Sequence, residues 1–380
     1  KVKPVTTGIR SGKRAVGSCI SGVVSYKMNK DDCIGGAPQA MSQPSQHTTA
    51  KRFLIGHVDL RVEADHPAFL ERIAAWLADY ERVDGVASDA ASDSASTIRA
   101  TYCVTSSEER LKPPLSERAK ATHGNEVAAY YQDDESWIVA FRAGGFAVVD
   151  RNRLRLTGTV DPGVVLPSVM RFEEYMHPLH ELFRQLDLYP LHAACVERSD
   201  RGLLLLGPSG RGKSTLAADL VGRGFGFLSD DRCFLRETER KSFEALAFYE
   251  PFKLYARNVA HLESLRGADA LSADEADKQS FDIRAHYPGQ RRLRSRIAGL
   301  IFPQWSPEAT SRLEPLAPGQ ALLELLPLTL VCFDPVSAKE HFDVLGRLVA
   351  SLPVARLCLG SDRERWNELV LEFLSRTEEC

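Results

Sequence analysis

Hydrophobic and polar positions change rhythm several times along the 380 residues, and each change marks an element. Residues 1–50 show no apolar periodicity and are rich in Gly, Ser, Thr and Lys, so they read as an extension without a fold of its own. The chain begins at Lys1, and Met41, ahead of SQPSQHTTAKRF, reads as a sensible natural start. From Phe53 the run FLIGHVDLRVEA alternates as a strand does, and Asp65-His66-Pro67 then introduces a helical spacing of Phe69, Ile73, Trp76, Leu77 and Tyr80. Residues 87–96, ASDAASDSAS, read as a mobile loop. The runs SWIVAFRA, GFAVVD and RLRLTG, separated by turn residues, predict an antiparallel meander. Residues 51–165 therefore form an expected α+β N-terminal domain.

A second unit is expected over residues 170–380. Pro178 is read as marking a first helical turn, with HELFRQLDL continuing to the Tyr189-Pro190 break. Beyond it strands and helices alternate: LHAACVE and GLLLLG as strands, STLAADLVGRG as a helix, GFGFLSDD and RIAGLIF as strands, and VSAKEHFDVLGRLVASL as a helix. The stripe Leu322, Leu323, Leu325 and Leu326 reads as core. The expected class is α/β, a larger C-terminal unit carrying a smaller α+β N-terminal domain.

Composition narrows the chemistry. With 44% hydrophobic and 26% charged residues the chain has globular proportions, and its eight cysteines show no CxxC, so neither a disulfide scaffold nor a zinc ribbon is expected. No apolar run approaches the roughly 18 residues of a membrane span. A cytoplasmic setting and no membrane partner are the expectation. The net charge is −3, but residues 1–52 hold nine Lys or Arg against two Asp, so the remainder is acidic and no nucleic-acid partner is expected. No HExxH or GxSxG pattern is present.

The segment that changes the picture is GPSGRGKS, residues 207–214, with Thr215 following. An apolar strand precedes it and an amphipathic helix follows, the setting in which GxxxxGKS cradles phosphates. Gly207, Gly210 and Gly212 let backbone N–H groups turn inward around Pro208, Ser209 and Arg211. Lys213 is placed to neutralise nucleotide phosphates and the Ser214 hydroxyl to ligate Mg²⁺, so ATP and Mg²⁺ are the expected cofactors. The next strand ends in Asp230-Asp231, only seventeen and eighteen residues beyond Lys213. Two carboxylates beside a metal and a phosphate can divide labour, one holding the cation and the other taking the proton of an incoming hydroxyl. A solvated turn after a strand is the alternative. His192, at the start of the strand before the loop, is either a packed side chain or a group that orients an aspartate.

Together LHAACV, GPSGRGKSTLAADLVGRG and FLSDDR resemble the HPr kinase/phosphorylase family, over roughly residues 190–232. The resemblance implies catalytic roles for His192, Lys213 and Asp231, with Asp231 accepting the proton of a serine hydroxyl, Ser214 and Asp230 at the metal, and an acceptor serine on a peptide or protein partner. It also implies a second metal ligand, for which Glu250 is the candidate, and an arginine before a late strand, for which Arg296 is the nearest match and Arg294 the reserve. The N-terminal region does not look like that of the bifunctional carbohydrate-regulation enzymes, which favours a peptide acceptor such as a lasso-peptide precursor over HPr. A nucleotide-sensing module without transfer, the reverse phosphorolysis, and a homo-oligomeric assembly all stay open.

Overall fold

The computed structural model of the chain describes residues 48–82, 97–167, 169–248, 252–259 and 278–376, with residues 262, 265, 270, 272 and 273 among those between. Residues 1–47 and the stretch 87–96 lie outside them. The expected boundary at residue 50 moves slightly, because a strand already begins at Thr49.

Among the described residues two nine-stranded sheets dominate, giving a mixed α/β architecture. In the first, Thr49–Ile55 and Val58–Ala64 form an antiparallel hairpin, not the single strand expected. The apolar parity shifts across Gly56-His57: Phe53 and Ile55 precede the turn, Val58, Leu60 and Val62 follow it, and all are fully buried. A continuous strand would have put one group on the solvent face, and Gly56 takes the left-handed conformation (φ 62°) that the turn requires. Val58–Ala64 runs parallel to Thr97–Val104, and the helix Pro67–Trp76 lies between them in sequence. Pro67 opens that helix and the His66 side chain accepts from the Phe69 N–H, so its polar start is capped while Phe69, Leu70, Ile73 and Ala74 enter the core. Thr97–Val104 is in turn parallel to Arg155–Val160. The expected meander is present: Ser136–Phe141, Phe146–Asp150 and Arg155–Val160 pair antiparallel in succession, extended by Ala128–Asp133 and Lys120–Gly124.

The helix Val169–Arg184 joins the two sheets. Pro178 lies well inside it, where a first-turn position was expected. Proline removes the N–H that would bond to the Glu174 carbonyl four residues earlier, and the His177 Nδ1 takes that carbonyl instead. A side chain thus replaces the missing ladder bond and the helix continues. Phe172, Met176, Leu179 and Phe183 pack in one core with the first sheet and with Phe234, Leu246 and Phe333.

The second sheet departs from a strict strand–helix alternation. Ala193–Arg198 and Arg201–Leu206 form a tight antiparallel hairpin closed by Ser199-Asp200, both with positive φ (53° and 59°). Gly226–Ser229 pairs antiparallel with Ala193–Arg198, and Arg294–Trp305 pairs parallel with Arg201–Leu206 on the other side. Beyond lie Phe243–Ala247, Cys233–Glu237 and Tyr189–Leu191, while Val354–Leu359 runs parallel to the far half of Arg294–Trp305. The four leucines of Arg201–Leu206 serve both faces: Leu203 and Leu205 pack with the helix Lys213–Gly222 and with Trp366 of the helix Arg363–Arg376. Leu204 and Leu206 pack with Leu345 and Leu348 of the helix Pro335–Ser351. Burial on both faces is why this strand reads as an unbroken apolar run. Of the leucine stripe expected in the core, Leu325 is fully buried but Leu323 is 70% exposed. No helix among the described residues is long and apolar enough to cross a membrane.

Candidate active site

Strand directions bring the chemistry together. Ala193 pairs with Leu206 and Cys195 with Ser229, so the start of Ala193–Arg198, the end of Arg201–Leu206 and the end of Gly226–Ser229 share one sheet edge. His192, the glycine loop and Asp230-Asp231 are their immediate continuations. Gly207, Gly210 and Gly212 have φ of 139°, 85° and 107°, all in the region that favours glycine. A Cβ on Gly212 would also stand 2.7 Å from the Leu359 Cδ1. The helix Lys213–Gly222 starts directly after it, with no side-chain cap on its first N–H groups. Those N–H groups and the positive helix end are the elements of an anion cradle. Pro208, Ser209, Gly210 and Arg211 are exposed around it, and Ser214 is half-buried. Thr215 is buried and its Oγ1 accepts from Asn258 at 3.0 Å.

Lys213 is 5% exposed, and its Nζ donates to the Gly207 carbonyl at 2.6 Å and to the His192 Nε2 at 3.0 Å. An ammonium can only donate, so Nε2 is the accepting nitrogen and the ring proton sits on Nδ1, 3.2 Å from the Asp231 Oδ1. Lysine, histidine and aspartate form a directed chain. Burial pushes the Lys213 pKa down, against the opposing pull of Asp231 and Asp230. For Asp231 burial acts upward, but the His192 hydrogen bond, with the charges of Arg232 and Lys213, holds the carboxylate well below its ordinary range. It therefore stays ionised at neutral pH while its side chain remains 37% exposed, open to a substrate.

Asp230 is different. Only 1% exposed, it is pushed up to about 6 by burial and by the neighbouring Asp231 charge, against the Lys253 N–H, the Ser214 hydroxyl and Lys213. Its Oδ2 accepts from the Lys253 N–H at 3.1 Å, and its Oδ1 has no hydrogen-bond partner among the described residues. A buried carboxylate oxygen left without a partner is costly. Asp230 and the Ser214 hydroxyl are the oxygen donors a hard divalent cation takes when phosphate and water fill its remaining positions, so the residues present fit Mg²⁺.

The other expected residues fall elsewhere. Glu250 lies outside the described residues. Arg296 pairs with Arg201, at the opposite end of the strand leading to the loop. Five residues at about 3.3 Å each put its backbone roughly 17 Å from the strand's loop end. Arg294 sits two residues farther back, opposite Leu246. Periodicity could not reveal which end of the strand these arginines occupy, since only parallel pairing with Arg201–Leu206 decides it. Their neighbours Arg291 and Arg292 are engaged structurally, with Asp79 and with Glu197 respectively.

One part of the site was not anticipated. A cavity of about 270 Å³ opens beside His192 and Asp231, lined among others by Tyr130, Glu173, His177, His180, Arg232 and Val331. The Arg232 Nη2 lies 2.7 Å from the Glu173 Oε2. Because the His177 Nδ1 donates to Glu174, its Nε2 accepts from the Tyr130 hydroxyl at 3.1 Å. His180 is 3% exposed and its Nδ1 has no hydrogen-bond partner among the described residues. The sequence signal was His177-Pro-Leu-His180, two histidines three apart and so on one helix face.

No protein-family model matches the chain. An HPr kinase/phosphorylase of Chlorobaculum tepidum is 31% identical over 164 residues, covering 42% of this chain and 42% of that protein. Another of Chlorobium phaeovibrioides is 37% identical over 105 residues, 27% of each. The chain thus spans less than half the length of these curated relatives. Among solved structures, the Hpr(Ser) kinase/phosphatase from Coxiella burnetii matches 50% of this chain and 98% of that one at 12% identity, with a TM-score of 0.28, at which the superposition carries no argument. Over the part that its relatives match, the chain is related to the HPr kinase/phosphorylase family.

Proposed function

We propose that the protein is an ATP-dependent kinase that transfers the γ-phosphoryl group to a serine hydroxyl of a peptide or protein. The observation that carries this reading is the directed chain from Lys213 through His192 to an ionised, accessible Asp231 at the mouth of a glycine loop. In this reading the N–H groups of residues 208–214 bind the nucleotide phosphates and Lys213 moves from the Gly207 carbonyl toward them. Asp231 receives the hydroxyl proton as the serine oxygen forms its bond to phosphorus and the bond to ADP breaks. His192 keeps the receiving carboxylate in place. Asp230 and Ser214 would hold Mg²⁺, which when bound neutralises phosphate charge. Most of the rate enhancement would come from positioning and charge. The names of the relatives pair kinase with phosphorylase, and that supports a reverse reaction in which Asp231 returns the proton. Among acceptors a ribosomally made peptide precursor is favoured, because the N-terminal region does not look like that of the bifunctional carbohydrate-regulation enzymes.

A mere nucleotide sensor needs no aspartate at this point. Asp231→Asn should keep MgATP affinity within about threefold and lose two to four orders of magnitude in transfer, the usual contribution of a general base. Lys213→Ala should lose both the MgATP-induced rise in melting temperature and all turnover, with the fold retained. Transfer by Asp231→Asn at the wild-type rate would remove Asp231 as the proton acceptor, and MgATP binding that does not depend on Lys213 would remove the kinase reading.

A further inference from the structure

We infer that the cavity beside Asp231 is the acceptor subsite, and that it takes serine on an extended, unfolded segment with neutral or basic flanks. The inference rests on the kinase reading above and names what that kinase acts on.

Size excludes much. An α-helix with its side chains is about 10–12 Å across, and one turn of it would overfill a cavity of about 270 Å³. An extended strand that inserts a serine and its nearest backbone would not. The position suits transfer, because His192 and Asp231 form one wall of this same cavity. The opposite wall comes from the first sheet and the helix Val169–Arg184, through Tyr130 and His180.

The polar atoms select a partner. His180 is almost wholly buried, yet its Nδ1 has no partner among the described residues. His177, one turn before it, has both nitrogens engaged, so burial does not by itself leave a histidine unsatisfied here. That nitrogen is sealed from solvent, so a bound segment with peptide groups beside its serine would supply the missing hydrogen bond as the imidazole turns into the cavity. The carboxylates of Glu173, Glu174 and Asp231 line the cavity with Arg232 the sole fixed cation among its lining residues, and Arg232 is already ion-paired to Glu173. The wall is net acidic, which disfavours Asp or Glu next to the acceptor serine.

The test uses the full chain with MgATP and three synthetic peptides, each with one serine: an unstructured Gly/Lys-flanked decapeptide, the same decapeptide with Glu flanks, and an alanine-rich 20-residue helix. The Gly/Lys peptide should be phosphorylated with kcat/KM at least tenfold above each of the others. Val331→Trp, at a 39% exposed position on the cavity rim, should raise KM for that peptide at least tenfold and leave MgATP affinity within twofold. His180→Gln, which retains hydrogen-bonding capacity, should lose less than His180→Leu, the difference appearing in KM and not in kcat. Equal turnover of extended and helical peptides, or an unchanged KM in Val331→Trp, overturns the inference while leaving the kinase reading standing. If the wild type phosphorylates none of the three, the inference fails as well; the kinase reading fails with it only if MgATP binding does not depend on Lys213.

Discussion

At the scale of single residues, the loop glycines differ in what they forbid. Gly212 combines a left-handed backbone with a neighbour, Leu359, that is fully buried and cannot swing away. Gly210 has the backbone conformation but nothing within 4 Å of a Cβ. Gly210→Ala should therefore cost only the left-handed strain, about 1–2 kcal/mol, and Gly212→Ala distinctly more, read as a lower denaturation midpoint. Equal losses would show that Leu359 yields. The two aspartates differ in the same local way. Their adjacency was plain in the sequence and the family resemblance implied separate roles, but their different surroundings were not legible, because these come from the Lys253 N–H and burial around one and His192 beside the other.

At the scale of elements, the tight turn at Ser199-Asp200 decides where the histidine goes. A longer connection would have let Arg201–Leu206 pair elsewhere; with two residues, Ala193 must face Leu206 and His192 must flank the loop. Both turn residues adopt positive φ, which Asn and Gly tolerate better than Ser and Asp. Replacing the pair by Asn-Gly should raise stability by about 1 kcal/mol, seen as a higher melting temperature with MgATP affinity unchanged; a lower one would mean that the Glu197 carboxylate, which accepts from the Asp200 N–H, depends on the native pair. The two elements misread from the pattern have physical reasons of the same size. The parity shift at Gly56 is a two-residue event inside a twelve-residue alternation. Pro178 is tolerated because His177 occupies the carbonyl that proline abandons, a substitution of side chain for backbone that periodicity does not encode.

At the scale of the whole molecule, the helix Val169–Arg184 and its partners place neutral imidazoles between the sheets. Burial pushes His177 down to about 4 and His341 to about 3, from an unfolded value of 6.5. Below pH 6.5 the unfolded chain binds protons that the native protein refuses, so the stability these groups contribute is complete above that pH and is lost as pH falls toward the folded values. At pH 5 the loss should be on the order of 2 kcal/mol for each histidine, measured as a drop in the urea midpoint between pH 7.5 and pH 5. A flat midpoint would mean that both imidazoles titrate normally in the native state. Of the two, His177 lines the cavity beside Asp231, so acid loosening around it would reach that cavity.

Local chemistry and periodicity by themselves determined the glycine loop, its strand and helix, the meander, and the presence of a paired carboxylate close behind the lysine. These depend on backbone freedom and burial within a dozen residues, which neighbouring side chains dictate. Only the tertiary structure decided that His192 links Lys213 to Asp231, that Arg296 stands at the end of its strand away from the loop, and that a cavity lined by a histidine whose Nδ1 has no partner among the described residues adjoins the site. Each of those follows from strand order and direction, which contacts between distant segments set and no local spacing records.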